Sequence, residues 1–269
     1  MLRQPAQQRY GQSVILRRLD DYQGWQVTFQ QTSILIDPWL TGESITGSFD
    51  RHSASSAVSV DQLRSEPGNV AAIALCTAVS DHARPATLAA LAEVPVLGPA
   101  RAARLARKAG SVRSHALRPG QRMSFPASGG GRIEVTATRT GLPLGLIAIG
   151  YLIEAIGSAG ESMGRIWIEP HQPTDGVGRS LAPVDLALLP MQSVTATVLP
   201  VTAGPKASLA AARACGARAI VPTATDPGRD MTGWQRRLYR VSAPAAQPSV
   251  PVLALAAAGT VRVPVNSSV

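Results

Sequence analysis

Cysteine is nearly absent from this chain: Cys76 and Cys215 are the only two among 269 residues. Neither sits in a C-x-x-C or zinc-knuckle spacing, which argues against both a disulfide and a cysteine-based metal site. Both lie among apolar or small neighbours, the setting of a reduced thiol that packs as a small hydrophobe. Lysine is as scarce, at Lys108 and Lys206, so the formal charge of +9 is carried almost wholly by arginine. Aromatics make up 4% of residues, so a core must be built from Ala, Val, Leu and Ile. No apolar run approaches the roughly 18 residues of a membrane span. The first ten residues, MLRQPAQQRY, lack the apolar stretch of a secretory signal, so a cytoplasmic protein without a membrane partner is expected. There is no G-x-S-x-G elbow, no P-loop and no G-x-G-x-x-G opening a helix after a strand, so the commonest nucleophile and nucleotide signatures are missing.

What is present is a rhythm of short apolar runs. Val14 to Leu19 and Trp25 to Phe29 have strand character, with Asp20 to Gly24 as the turn between them. Ser33 to Ile36 is continuously apolar after its serine, as in a strand buried on both faces. The polar stretch Thr41 to Gly68 is expected to be a long excursion over a site. A βαβα alternation follows: strand Val70 to Cys76, helix Pro85 to Ala92, strand Val94 to Leu97, and helix Pro99 to Ala109 closed by Gly110. A second β-rich block spans Gln121–Phe125, Arg132–Thr138, Ile147–Ala155 and Arg165–Ile168. Another α/β block comprises strand Val184–Leu189, helix Ala203–Cys215 and strand Arg218–Val221, and Val250 to Val263 is expected to close the fold with one or two strands. The order β-rich, α/β, β-rich, α/β predicts an α/β (α+β) fold of two similar halves whose sheets face each other with helices outside. No Pro/Ser-rich linker divides the halves, so residues 1–269 are expected to form one domain with an ordered core from about 12 to 265.

Two strands end on polar residues. Ile34-Leu35-Ile36 stops at Asp37, and Ala74-Leu75-Cys76 runs through Thr77-Ala78-Val79-Ser80 to Asp81-His82. Two buried strands that each deliver a polar side chain to one sheet edge have the form of an active-site floor. Each residue also has a plain structural role. Asp81 can cap the helix that begins nearby, with His82 bonded beside it. Asp37 can bond the turn at Pro38. Asp185 leads a buried strand, and His52 and His115 have the setting of loop or surface histidines. Cys76 as a nucleophile is disfavoured by its place inside an apolar strand. Gly141-Leu-Pro-Leu-Gly145 has the composition of a lid or of an ordinary loop. Arg101, Arg104, Arg107 and Lys108 share a helix, followed by Arg113, Arg118 and Arg122. Without interleaved aromatics this cluster reads as a solvated face rather than a nucleic-acid interface.

The segments ILIDPWLTG (Ile34 to Gly42), ALCTAVSDH (Ala74 to His82), VPVLGPARAARL (Val94 to Leu105), GYLIEA (Gly150 to Ala155), RIWIEPH (Arg165 to His171), VDLALLP (Val184 to Pro190) and ARAIVPT (Ala217 to Thr223) together resemble the metallo-β-lactamase fold. The nearer likeness is to the simple metal-dependent hydrolases related to ascorbate-6-phosphate lactonase, in a divergent plant and cyanobacterial group. The resemblance implies a four-layer αββα sandwich. It also implies a metal motif that this chain has largely lost. Aligned on Asp81-His82, the first two histidines of H-x-H-x-D-H fall on Thr77 and Val79. The next histidine falls among Thr138, Arg139 and Thr140, the Gly-Asp on Glu169-Pro170-His171, and the last histidine near Thr223 or Ala224.

A catalytic zinc has three protein ligands and an open water position, and two zinc ions need more ligands than these. The resemblance therefore implies zinc or another divalent metal, one ion at most or none, held by Asp81, His82 and His171. Asp81 and His82 would be the catalytic pair, with Asp37, Thr77, Glu169 and Arg139 positioning substrate or ligands. Three functions stay open: a hydrolase of a small ester, lactone or phosphorylated metabolite; an inactive member that binds a small molecule or an unidentified protein partner; and a nucleic-acid binder using the arginine-rich surface, disfavoured as above.

Overall fold

The computed structural model describes residues 13–41, 56–224, 237–242 and 248–263. The chain begins with an antiparallel run of β1 (Val14–Arg18), β2 (Trp25–Phe29) and β3 (Thr32–Ile36). The β2–β3 turn is two residues, Gln30 and Gln31, at φ 47° and 63°. Such left-handed pairs match the right-handed twist of the flanking strands and set the register that pairs Phe29 with Thr32.

After helix α1 (Val60–Ser65), pairing turns parallel: β4 (Asn69–Ala74) lies beside β3, and β5 (Val96–Gly98) and β6 (Ser114–Ala116) follow outward. Helices α2 (Pro85–Ala90) and α3 (Ala100–Lys108) form the crossovers. The second half repeats the scheme. Strands β7 (Arg122–Pro126), β8 (Arg132–Arg139), β9 (Ile149–Ile156) and β10 (Ser162–Ile168) are antiparallel. After α4 (Asp175–Leu181), β11 (Leu186–Leu189) pairs parallel with β10. Strands β12 (Val194–Ala196) and β13 (Leu199–Thr202) make a hairpin, α5 (Pro205–Ala214) follows, and β14 (Ala219–Pro222) pairs parallel with β11. Then β15 (Tyr239–Val241) joins β12, and β16 (Thr260–Val263) returns to the free edge of β1. The sheets are thus β16-β1-β2-β3-β4-β5-β6, β14-β11-β10-β9-β8-β7 and the small β13-β12-β15.

Three large cores hold most of these elements, and Val194 and Tyr239 form a small one within the β13-β12-β15 sheet. The largest takes side chains from both large sheets, Leu16, Phe29, Ile34, Ile133, Tyr151, Ile166 and Leu188 among them. A second joins the outer face of the first sheet to α1, α2 and α3 through Leu35, Ile73, Leu63, Leu88 and Ala102. A third joins the second sheet to α5, with Trp167, Ala187, Leu189, Ala211 and Cys215 buried and Val177 of α4 packed against them. Strands β3 and β11 are buried at every residue, as their continuous apolar character predicts. Helices α4 and α5 approach closely because Gly178 has no side chain; a Cβ there would meet the Ala211 carbonyl oxygen at 2.6 Å.

The expected strands and longer helices are present with ends moved by a few residues. Four features differ. Within the supposed excursion, α1 is a helix, set by a capping box in which Ser59 and Gln62 satisfy each other's backbone. Helix α4, two glycines notwithstanding, is started by the Thr174 hydroxyl and kept by packing on α5. The small sheet was not anticipated because Pro200 interrupts a short apolar run. The three-residue edge strand β6 was not expected either, whereas the closing segment, within the one or two strands expected, supplies β16 and a bridge from Val252 to Ile220 among the described residues. His52 and most of the stretch after Thr41 lie outside the described residues.

Candidate functional site

Both halves deliver polar residues to one end of the large sheets, where antiparallel pairing gives way to parallel pairing. In the first half this is Asp37, one residue past β3. Its backbone sits at φ 44°, a left-handed conformation that Asp tolerates better than most residues. The Asp37 N–H donates to the Ala74 carbonyl at 3.1 Å, and its Oδ1 accepts the Cys76 N–H at 2.8 Å. Its Oδ2 lies 2.8 Å from Nδ1 of His82. Asp37 therefore ties the end of β4 to the Asp81-His82 loop instead of closing the Pro38 turn expected from its neighbours.

Asp81 does not cap a helix either. The residue preceding α2 is Arg84, which makes no side-chain cap bond, and Pro at the first helical position needs none. The Gln23 amide donates to the Asp81 carbonyl at 3.0 Å and to its Oδ2 at 3.4 Å. Oδ2 of Asp81 is 3.8 Å from Nε2 of His82, whereas Oδ1 is buried with no hydrogen-bond partner.

The second half contributes Glu169, one residue past β10, and His171. Glu169 is fully buried. Its Oε1 accepts the His171 and Gln172 N–H groups at 3.0 and 3.2 Å, and its Oε2 accepts the Thr140 hydroxyl. Gly150 makes room for this carboxylate: a Cβ there would lie 2.8 Å from Oε2 and 2.7 Å from the Thr138 hydroxyl. Burial raises the Glu169 pKa to about 7, against the lowering effect of its hydrogen bonds and of His82. Burial, with His82 adding to it, pushes the His171 pKa well below 6.5, which keeps the ring neutral. The His171 and His82 rings lie 4.7 Å apart at 32°. The two sheets are pinned together beside this point by the Tyr151 hydroxyl, which donates to the Leu75 carbonyl at 2.8 Å, and by the Ile149 N–H, which donates to the Cys76 carbonyl at 2.9 Å.

Asp81, His82 and His171 open on a cavity of about 220 Å3 whose other walls are apolar: Val79, Leu144, Ile147, Ala196, Leu199, Val201 and Tyr239. Asp37 and Glu169 stand behind this polar end. Thr77 is buried and donates to the Ile147 carbonyl at 3.4 Å. Arg139 does not join them. It is exposed and lines a separate cavity beside α4, because its place in β8 turns it away from the neighbouring Thr138 and Thr140. Burial, followed by the Asp37 carboxylate, drives the Cys76 thiol pKa well above 9, so that thiol is no nucleophile. Asp185 accepts the Arg165 N–H and is structural, and His115 is exposed on the edge strand β6. Leu144, from the suspected lid, does line the cavity. The walls from β12, β13 and β15 went unrecognised; their only signal was a set of apolar residues outside the main rhythm.

The donor set does not fit a two-metal centre. Among the described residues no group of three or more His, Cys, Asp or Glu is arranged to hold an ion. Both Asp37 oxygens and both Glu169 oxygens are already engaged, His82 is tied through Nδ1, and Thr77 has given its hydroxyl to a carbonyl. Val79, where the family motif would carry a histidine, is a cavity wall.

No known family model and no curated protein matches this chain in sequence. Solved structures do match in fold. An isothiocyanate hydrolase from Delia radicum gut bacteria is 17% identical with a TM-score of 0.61, covering 92% of this chain and 98% of that one. Igni18, a metallo hydrolase from the archaeon Ignicoccus hospitalis, is 16% identical with a TM-score of 0.59, covering 93% and 98%. A possible metal-dependent hydrolase from Veillonella parvula is 15% identical with a TM-score of 0.62, covering 93% and 99%. The chain has the mixed α and β fold of these hydrolases, which is metallo-β-lactamase-like.

Proposed function

We propose that this chain is a divergent metallo-β-lactamase-like protein, a single four-layer αββα sandwich, that binds a small organic molecule in its strand-end cavity without a catalytic pair of metals. The observation that carries this reading is the cavity itself. It combines a buried polar end of Asp81, His82 and His171 with apolar walls that include Val79. An apolar cleft with a few convergent polar groups is the usual form of a small-molecule site. Fold alone does not bring the hydrolytic activity of the neighbours with it.

Elemental analysis of untagged protein, grown with zinc, manganese and iron, tests the reading. Metal well below one ion per chain, with a melting temperature indifferent to a chelator, is the expected result. Stoichiometric metal would overturn it in favour of a second reading, a one-metal hydrolase of a small ester, lactone or phosphorylated metabolite. That second reading is favoured by one observation: Asp81 Oδ1 and His171 Nδ1, two atoms able to bind a cation, are buried without hydrogen-bond partners.

A further inference from the structure

The mouth of the cavity has a feature that a site for a small polar metabolite does not need. Among the described residues the large exposed hydrophobics are Val112, Leu142, Leu146, Val198, Leu199 and Leu238. All but Val112 belong to the segments that wall the cavity. Leu142 and Leu146 flank Leu144, and Leu146 precedes Ile147. Val198 lies in the turn between β12 and β13, Leu199 opens β13, and Leu238 precedes Tyr239. The Thr197 N–H donates to the Leu238 carbonyl, which holds the turn and Leu238 together. Leu146 and Val198 are 82% and 86% exposed, values that leave nearly the whole side chain in water. Scattered surface leucines need no explanation, but exposed apolar residues concentrated in the segments that wall one pocket, here a collar, mark a binding surface.

The floor of the cavity has a definite polarity. Apart from the Tyr239 hydroxyl, its polar side chains are Asp81, His82 and His171, and among the described residues no Lys or Arg lines it. Asp81 is 2% exposed, and its Oδ1 is an acceptor without a donor. A buried acceptor left unpaired is costly, so a ligand that brings an N–H or O–H is favoured over one that brings another acceptor. The cavity, at about 220 Å3, is also smaller than the roughly 300–1,000 Å3 of drug-sized sites, so a longer ligand extends onto the collar.

We infer that cavity and collar form one site for an alkyl-chain amine, its ammonium on the Asp81 carboxylate and its chain running past Leu144, Ile147 and Val201 to the collar. The inference rests on the reading that the cavity takes an organic ligand. It goes further in naming the head, the tail and the residues that select each.

Isothermal titration of the full chain with hexyl-, octyl- and decylamine below their micelle concentrations tests it, with octanol and octanoate as head-group controls. Affinity is expected to rise about fourfold per added methylene while the chain reaches the collar. Octanoate is expected to bind at least about tenfold more weakly than octylamine, the worth of one charge-assisted hydrogen bond. Asp81→Asn is expected to cost octylamine about tenfold or more and to leave octanol nearly unchanged. Leu146→Asp and Leu199→Asp, at exposed positions where folding is not at stake, are expected to flatten the chain-length dependence. If Asp81→Asn does not fold, the head-group comparison on the unaltered chain and the two collar variants decide. Equal affinity for octanoate and octylamine, or no dependence on chain length, would overturn the inference while leaving the small-molecule reading in place. Binding of the amines only to vesicle-bound protein would also overturn it. Failure of every ligand together with stoichiometric metal would overturn both.

Discussion

The two halves carry the same local device at the same place in the fold, and put it to different use. Ile34-Leu35-Ile36-Asp37-Pro38 ends β3, and Ile166-Trp167-Ile168-Glu169-Pro170 ends β10. Each acid follows the strand at which antiparallel pairing becomes parallel. Each donates its N–H to the next parallel strand, Asp37 to Ala74 at 3.1 Å and Glu169 to Leu188 at 3.0 Å. The side chains then diverge. Asp37 reaches a histidine and a strand end, joining separate pieces of the first half. Glu169 folds back on its own loop and on Thr140, and burial, outweighing its hydrogen bonds and the pull of His82, raises its pKa to about 7. One motif therefore yields a clamp in one half and a carboxyl that titrates near neutrality in the other. Local sequence is similar; the groups around each acid differ.

Asp37→Ala should break the comparison most severely. It leaves the Cys76 N–H and the His82 ring nitrogen buried without their acceptor, at about 4 kcal/mol for the two groups together. A chemical-denaturation series reads this, and Asp37→Asn should recover the part owed to Cys76.

Next in size is the pH dependence set by Glu169. Its folded pKa of about 7 lies above the ordinary 4.5, so the unfolded chain releases the proton first as pH rises. The stability this group contributes is complete below 4.5 and is lost progressively between 4.5 and about 7, by on the order of 3 kcal/mol. Glu169→Gln should remove that loss. The difference between the two proteins, measured from pH 4 to 8, isolates it from His171. That ring, held neutral by burial, gives the opposite slope, its contribution being present above 6.5 and lost as pH falls below it. Stability curves of equal slope for the two proteins would show that Glu169 is ionised throughout.

The smallest effect sharpens the comparison. Thr140→Val deletes the hydroxyl that lowers the Glu169 pKa, at about 1 kcal/mol, and should move the Glu169 titration further upward. An unchanged titration would mean that the backbone N–H groups alone hold the carboxylate.

The architecture was legible because it rests on repeated short-range signals. Continuous apolar runs marked β3, β4 and β11, and Gly110 closed α3. The ordered set of strand-end segments pointed to the metallohydrolase fold, which the structural neighbours share. The site was legible only in part. Asp37, Asp81, His82, Glu169 and His171 are brought to one edge, as expected, yet their partners were not foreseeable. The Pro38 turn and the helix cap were the nearest available roles for Asp37 and Asp81, and distant groups, Cys76 and Gln23, took them instead. Arg139 was one residue out of phase, enough to turn it to the other face of β8. The capping box at Ser59 and Gln62 and the Thr174 cap of α4 are local signals, whereas the pairing of the small sheet depends on strands far apart in the chain.

What the sequence determined by itself was which strands are buried, where β3 and β10 stop on an acid, and that Thr77 and Val79 stand at the two positions where the resemblance sets histidines. These follow from side-chain chemistry and from periodicity along a few residues. Tertiary structure alone decided that two similar acids would find different partners, and that burial would raise the Glu169 pKa to about 7. It likewise decided that Leu144, Leu199 and Tyr239, far apart in the chain, would wall one cavity with Asp81 at its base. Burial and pairing depend on every element that packs around a group, and those elements meet only when both sheets have closed on each other.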